Sequence, residues 1–274
     1  MNVTQLFNQY LASQKLERNT QRNYTSAMKD VLAVVGTRPV TALTQADYET
    51  VKAALRHKKP STANFALTVF KTIVKHSVDL GVHIDSPFVR ARGVKQNYTP
   101  RNFLSRAERD EVLEKCTDPA HKLMIAMAAL TGVRKSELFA LRWDDIDLEA
   151  KTLTVRRTME RPGQVKEYAK TTSSLRVIPL PEKLFSLLNK SEGYIFSPTV
   201  SEFDNPTDNI LKKYTDKDVC WHSLRNTFAS ALVEKNVSLI KIAWLLGHSK
   251  VSATLYRYAR VHSTSQLHEE VNLI

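Results

Sequence analysis

The chain has little cysteine. Its two cysteines, Cys116 and Cys220, lie far apart with no C-x-x-C pair. That excludes a disulfide framework and a cysteine-ligated metal as organising devices and leaves reduced thiols as the default. Long hydrophobic runs are missing too. The longest, Leu123 to Leu130, falls far short of the ~20 residues needed to cross a bilayer. The opening residues, Met1-Asn2-Val3-Thr4-Gln5, have no basic stretch followed by an apolar one, so no secretory signal is read there and a cytoplasmic, nucleoid-associated protein is expected. Internal repeats, low-complexity segments and metal-site spacings are absent as well. Neither a metal nor a cofactor is expected.

Acidic residues are in the minority. Across 274 residues, 28 Asp and Glu face 40 Lys and Arg, for a net charge of +12. The imbalance is concentrated early, where residues 1–100 hold 14 basic against 6 acidic side chains. Such a surface favours a polyanion, and nucleic acid is the commonest one in a cytosol. Basic character alone does not establish that partner, because many basic proteins bind nothing specific.

The pattern predicts a mainly α fold with a small antiparallel β-sheet. Residues 1–86 read as a helical bundle. Leu6, Tyr10 and Leu11 mark one stripe; Asn19 or Thr20 caps a second helix carrying Tyr24, Met28, Val31 and Leu32. Thr44 opens a third helix, and Pro60 a fourth with Phe65, Val69, Ile73 and His76 at helical spacing. Residues 87–101 lack periodicity and read as a basic linker holding Arg90, Arg92 and Lys95. Residues 102–274 read as an α+β domain. Ser105 and Glu108 fit a capping box, Gly132 stops an apolar helix, and Arg134 begins the next. Thr152–Val155 and Leu175–Leu180 read as strands, the second an edge strand because it holds Pro179. Later helices follow from His222 and from Ser238, the latter ending at Gly247.

Certain polar residues are spaced for phosphate chemistry. Arg134 follows the turn at Gly132, with Glu137 three residues on. His222 and Arg225 are one helical turn apart; His248 follows Gly247; Tyr256 and Tyr258 come last. Taken singly, each fits an ordinary surface or core-edge role. Together, two arginine forks neutralise charge on a phosphate, and a phenol supplies a nucleophile that stores the bond energy as an ester.

Three segments carry a family resemblance. TGVRKSELFALRWDDID at 131–147, HSLRNTFAS at 222–230 and LLGHSKVSATLYRYARV at 245–261 resemble, in order, the motifs of the tyrosine recombinase or phage-type integrase family. The resemblance implies an N-terminal core-binding domain without an additional arm-binding domain, and a site-specific recombinase that cuts and rejoins DNA through a 3′-phosphotyrosyl intermediate. Carried over by position, Arg134 and Arg225 clamp the phosphate, and His222 and His248 hydrogen-bond there or buffer protons. Lys170, with Lys166 nearby, is the general acid for the 5′ oxygen, and Glu137 supports the site. The tyrosine spacing departs from the family, where the nucleophile lies nine residues after the last histidine. Here that place is Arg257. Tyr258, followed by Ala259-Arg260-Val261, is preferred as nucleophile over Tyr256. Asn226 stands where histidine is frequent. Implied partners are double-stranded DNA with paired recombination sites, a homotetramer in the synaptic complex and accessory DNA-bending or directionality proteins, with no membrane. The tail residues Leu267, Val271 and Ile274 share a helical face, suited to closing its own core or docking on a neighbouring protomer. Other readings are an inactive DNA-binding protein of the same fold, a type IB-like topoisomerase and a telomere resolvase.

Overall fold

The computed structural model describes residues 1–83, 85–96, 102–167, 175–189, 191–196 and 210–248. The chain divides into two compact units, Met1–Thr99 and Pro100–Ile274.

The first unit is helical: α1 (Val3–Ser13), α2 (Arg18–Val35), α3 (Gln45–Ala54) and α4 (Pro60–Asp79). Asn2 and Gln5 form a capping box on α1, and Thr44 and Asp47 form one on α3. The expected cap of α2 at Asn19 or Thr20 is not used. Glu17 is the N-cap and makes no side-chain cap hydrogen bond. Proline at the first position of α4 needs no N–H there, which makes it a good starter. One face of α4 buries Ala66, Leu67, Phe70, Ile73 and Val74. Phe65, placed by periodicity with the core, is instead exposed. Its ring meets Tyr24 edge-on at 6.2 Å, so it lies along the rim rather than in the centre. Phe88 and Ala91, within the stretch read as linker, belong to this core. The Phe88 ring lies 4.8 Å from Phe70 and 5.3 Å from Tyr48. Asn64 extends the attachment. Its Nδ2 donates to the Val94 carbonyl at 2.9 Å, and the Val94 N–H donates back to Oδ1 at 2.7 Å.

The second unit is built around two buried helices, α6 (Pro119–Thr131) and α9 (Trp221–Val233). Around them stand α5 (Arg106–Lys115), α7 (Lys135–Leu138), α8 (Glu182–Phe185) and α10 (Leu239–Leu246). The capping box of Ser105 and Glu108 on α5 is present as the sequence indicated. Among the described residues, two small antiparallel sheets complete the unit. One has the order β1 (Ile146–Asp147), β2 (Thr152–Val155), β5 (Arg176–Pro179), and the other pairs β3 (Arg157–Arg161) with β4 (Gln164–Glu167). Pro179 does lie on an edge strand, where its missing N–H costs no ladder bond. The helix after Cys220 differs from its expected form. Leu224 is buried, whereas Phe228, Ala231 and Leu232 are only half-buried, and Ser223, Arg225, Asn226, Thr227 and Ser230 take buried places. A helix closed in on most sides leaves no polar face to read, so a one-stripe pattern misplaces it.

Gly132 is the pivot of this unit. It ends α6 at φ +66°, and a Cβ there would lie 2.4 Å from Phe228 Cδ1 and 3.0 Å from Leu246 Cδ2. The residue thus lets α6, α9 and α10 meet at one point. Gly132→Ala combines left-handed strain with overpacking and is expected to cost about 2–4 kcal/mol. Gly163→Ala, at φ +77° with nothing within 4 Å, is expected to cost about 1–2 kcal/mol from strain alone. Urea unfolding of the two variants checks the difference.

Candidate active site

The site begins with how α10 ends. Gly247, at φ +62°, lets its own N–H bond to the Trp244 carbonyl at 2.9 Å and the His248 N–H bond to the Ala243 carbonyl at 2.9 Å. This is a Schellman closure. It satisfies those two carbonyls and leaves the next three, of Leu245, Leu246 and Gly247, needing donors.

Three arginines supply them. Arg176 Nε donates to Leu245 O at 2.7 Å, Arg225 Nη2 donates to Leu246 O, and Arg134 Nη2 donates to Gly247 O at 2.9 Å. Cations at the carbonyl end of a helix also suit its dipole. Arg225 Nη1 further donates to the Gly132 carbonyl at 2.6 Å, tying α9 to the end of α6. The corner leading into His248 is therefore gripped by side chains from residues 134, 176 and 225.

Glu137 binds two of those arginines together. It is fully buried on the short helix α7. Arg176 reaches it through two parallel hydrogen bonds, Nη1 to Oε1 at 3.0 Å and Nη2 to Oε2 at 2.8 Å. Arg134 Nη1 donates to Oε1 at 2.6 Å, and the Arg134 backbone N–H donates to Oε2 at 2.7 Å. Burial alone would push the carboxyl pKa up. The Arg176 hydrogen bonds and the Arg176 and Arg134 charges outweigh it and hold the pKa down at about 2.

Of the residues expected from sequence, Arg134, Glu137, Arg225 and the Gly247–His248 corner are brought together by these bonds. Arg134 keeps about a third of its side chain exposed (34%), whereas Arg225 is 2% exposed. His222 lies in the first turn of α9, half-buried and three residues before Arg225. Lys166 is on the exposed strand β4, paired with Thr158. Lys170, Tyr256, Tyr258 and the tail beyond Val261 lie outside the described residues.

Sequence reasoning missed Arg176. Its signal was the strand alternation. Arg176 and Ile178 face inward, while Val177 and Pro179 face outward. An arginine on the inward register of an edge strand requires a buried anion, and Glu137 is that anion. A second buried carboxylate, Asp145, serves the β-structure. Arg157 Nη1 lies 3.0 Å and Arg156 Nε 2.9 Å from its two oxygens. Burial still raises the Asp145 pKa despite these partners.

Residues 102–265 match the phage integrase family. The chain belongs to that family. It is 27% identical over 252 residues to a XerC-like tyrosine recombinase of Caldanaerobacter subterraneus, covering 74% of this chain and 63% of the relative, so the chain spans less than two thirds of that protein's length. A tyrosine recombinase XerC of Alcanivorax borkumensis is 24% identical, with 95% of this chain and 90% of the relative covered. In fold, the chain is similar to the Tn1549 transposon integrase solved in complex with transposon right end DNA. That match has a TM-score of 0.85 at 20% identity and covers 100% of this chain and 99% of the integrase.

The Glu137 carboxyl ionises near pH 2 when folded and at its ordinary value of 4.5 when unfolded. Its contribution to stability is thus complete above pH 4.5 and is lost as the pH falls toward 2. That contribution is on the order of 3 kcal/mol. In Glu137→Gln, the stability deficit measured by urea titration is expected to be constant above pH 5 and to shrink progressively between pH 4.5 and 2.5.

Proposed function

We propose that this chain is a site-specific DNA recombinase of the integrase type, acting on paired sites of a mobile element. The observation that carries the reading is the convergence of Arg134 and Arg225, remote in sequence, on the turn that leads into His248. Guanidinium groups fixed in a partly buried corner suit a phosphate whose non-bridging oxygens gain charge as a bond forms.

In the proposed reaction, the Tyr258 phenolic oxygen attacks the scissile phosphorus and gives up its proton to a neighbouring histidine, His222 or His248. The bond to the 5′ oxygen breaks, and Lys170 protonates the leaving hydroxyl. The strand then holds a 3′-phosphotyrosyl ester. A 5′ hydroxyl from the partner duplex reverses these steps, so no ATP or water is consumed. Arg134 and Arg225 hold the phosphate, and Glu137 holds Arg134.

The first unit is assigned the role of a core-binding domain on duplex DNA. It exposes Arg18, Arg22, Lys29, Arg56, Lys59 and Lys75, which supports a backbone-tracking surface. Affinity is then expected to fall steeply with salt. Assembly is proposed as a homotetramer bridging two sites, with accessory DNA-bending or directionality proteins as further partners and the cytoplasm as location.

The target sequence is itself a readout of the test. A pool of randomised, nicked duplexes is incubated with the protein, and DNA carried in a denaturant-resistant adduct is sequenced. Wild type is expected to enrich one sequence. Tyr258→Phe is expected to abolish the adduct while binding the enriched duplex within about twofold of wild type. Binding without any adduct would identify an inactive DNA-binding protein, and an adduct with no sequence preference would identify a topoisomerase-like activity. An undiminished adduct in Tyr258→Phe would move the nucleophile to Tyr256.

A further inference from the structure

Arg176 has no part in the reaction proposed above, yet it is enclosed, with only 1% of its side chain exposed. Its Nε, Nη1 and Nη2 all donate to groups of the protein, two of them to a buried carboxylate. These bonds tie three pieces of chain. Both Nη groups grip Glu137 on α7, Nε grips the Leu245 carbonyl at the end of α10, and its own backbone belongs to β5. Glu137, held this way, holds Arg134 by its side chain and by its backbone N–H.

We propose that Arg176 is a positioning residue for the phosphate clamp, fixing the Arg134 fork relative to the Gly247–His248 corner. The proposal rests on the recombinase reading. Geometry gives the reason for arginine rather than lysine. Three guanidinium nitrogens in one plane donate in three fixed directions, whereas the three donors of an ammonium all sit on one atom and cannot span partners spread across that plane. Arg176→Lys keeps the positive charge that the buried Glu137 needs but loses the fork. Glu137 is then free to shift by about an ångström, and the Arg134 guanidinium shifts with it. Misplacement of that size in a reacting constellation costs about 100-fold in rate.

The experiment uses the duplex enriched by the wild-type protein, made with either an ordinary phosphodiester or a methylphosphonate at the scissile position. The methyl group removes one negative charge, so the reaction depends much less on an arginine clamp. A residue that acts through the clamp loses its importance on that substrate, and a residue that only supports the fold does not. Arg176→Lys is expected to bind the duplex within about twofold of wild type and to form adduct about 100-fold more slowly on the phosphodiester. On the methylphosphonate its deficit is expected to fall below about fivefold, in parallel with Arg134→Ala. The proposal is overturned if Arg176→Lys cleaves the phosphodiester within about threefold of wild type, or if its deficit is the same on both substrates. Should Arg176→Lys fail to fold, Glu137→Gln undergoes the same comparison, with the same two outcomes. A wild-type protein that forms no adduct on any duplex refutes the recombinase reading instead, and that is seen before any variant is made.

Discussion

A single buried carboxylate organises the second unit. Glu137 is fully buried, where an isolated negative charge would be strongly disfavoured. It is tolerated because Arg176 meets both its oxygens and Arg134 adds a third side-chain bond. Such a buried pair contributes little net stability compared with an apolar pair of the same shape, but removing one partner is costly. Its effect is specificity of arrangement. With the carboxylate in place, the two guanidinium planes have few alternatives, and both arginines also bond the end of α10.

The helix terminus explains why three arginines meet there. A Schellman turn satisfies the carbonyls of Ala243 and Trp244 and exposes those of the next three residues. Water would normally serve them. In a crowded corner where Gly132 admits α9 and α10 at van der Waals distance, side-chain donors take that place. A cluster of positive charge is thus assembled as a solution to unsatisfied backbone oxygens.

Much of this was legible in the sequence. The ends of helices were written plainly: Ser105 with Glu108, Thr44 with Asp47, Gly132 and Gly247 all act where local chemistry places them. Order and spacing grouped Arg134, Arg225 and the Gly247–His248 corner, which hydrogen bonds do bring together. What stayed hidden depended on enclosure. Phe65 fitted a core stripe but stands on the rim, and α9 buries polar residues that a stripe would turn outward. Arg176 was overlooked because strand alternation marks it as inward-facing without naming its partner, which lies 39 residues away.

Asn64 illustrates a different kind of constraint. By bonding both the N–H and the carbonyl of Val94, it treats a stretch of irregular chain as though it were an added strand. With Phe88 and Ala91 inserted beneath, residues 88–94 travel with the helical bundle. The helical unit therefore extends along the chain at least to Val94 rather than ending near Pro87. Residues inserted between Phe88 and Val94 would have to pull that aromatic packing apart.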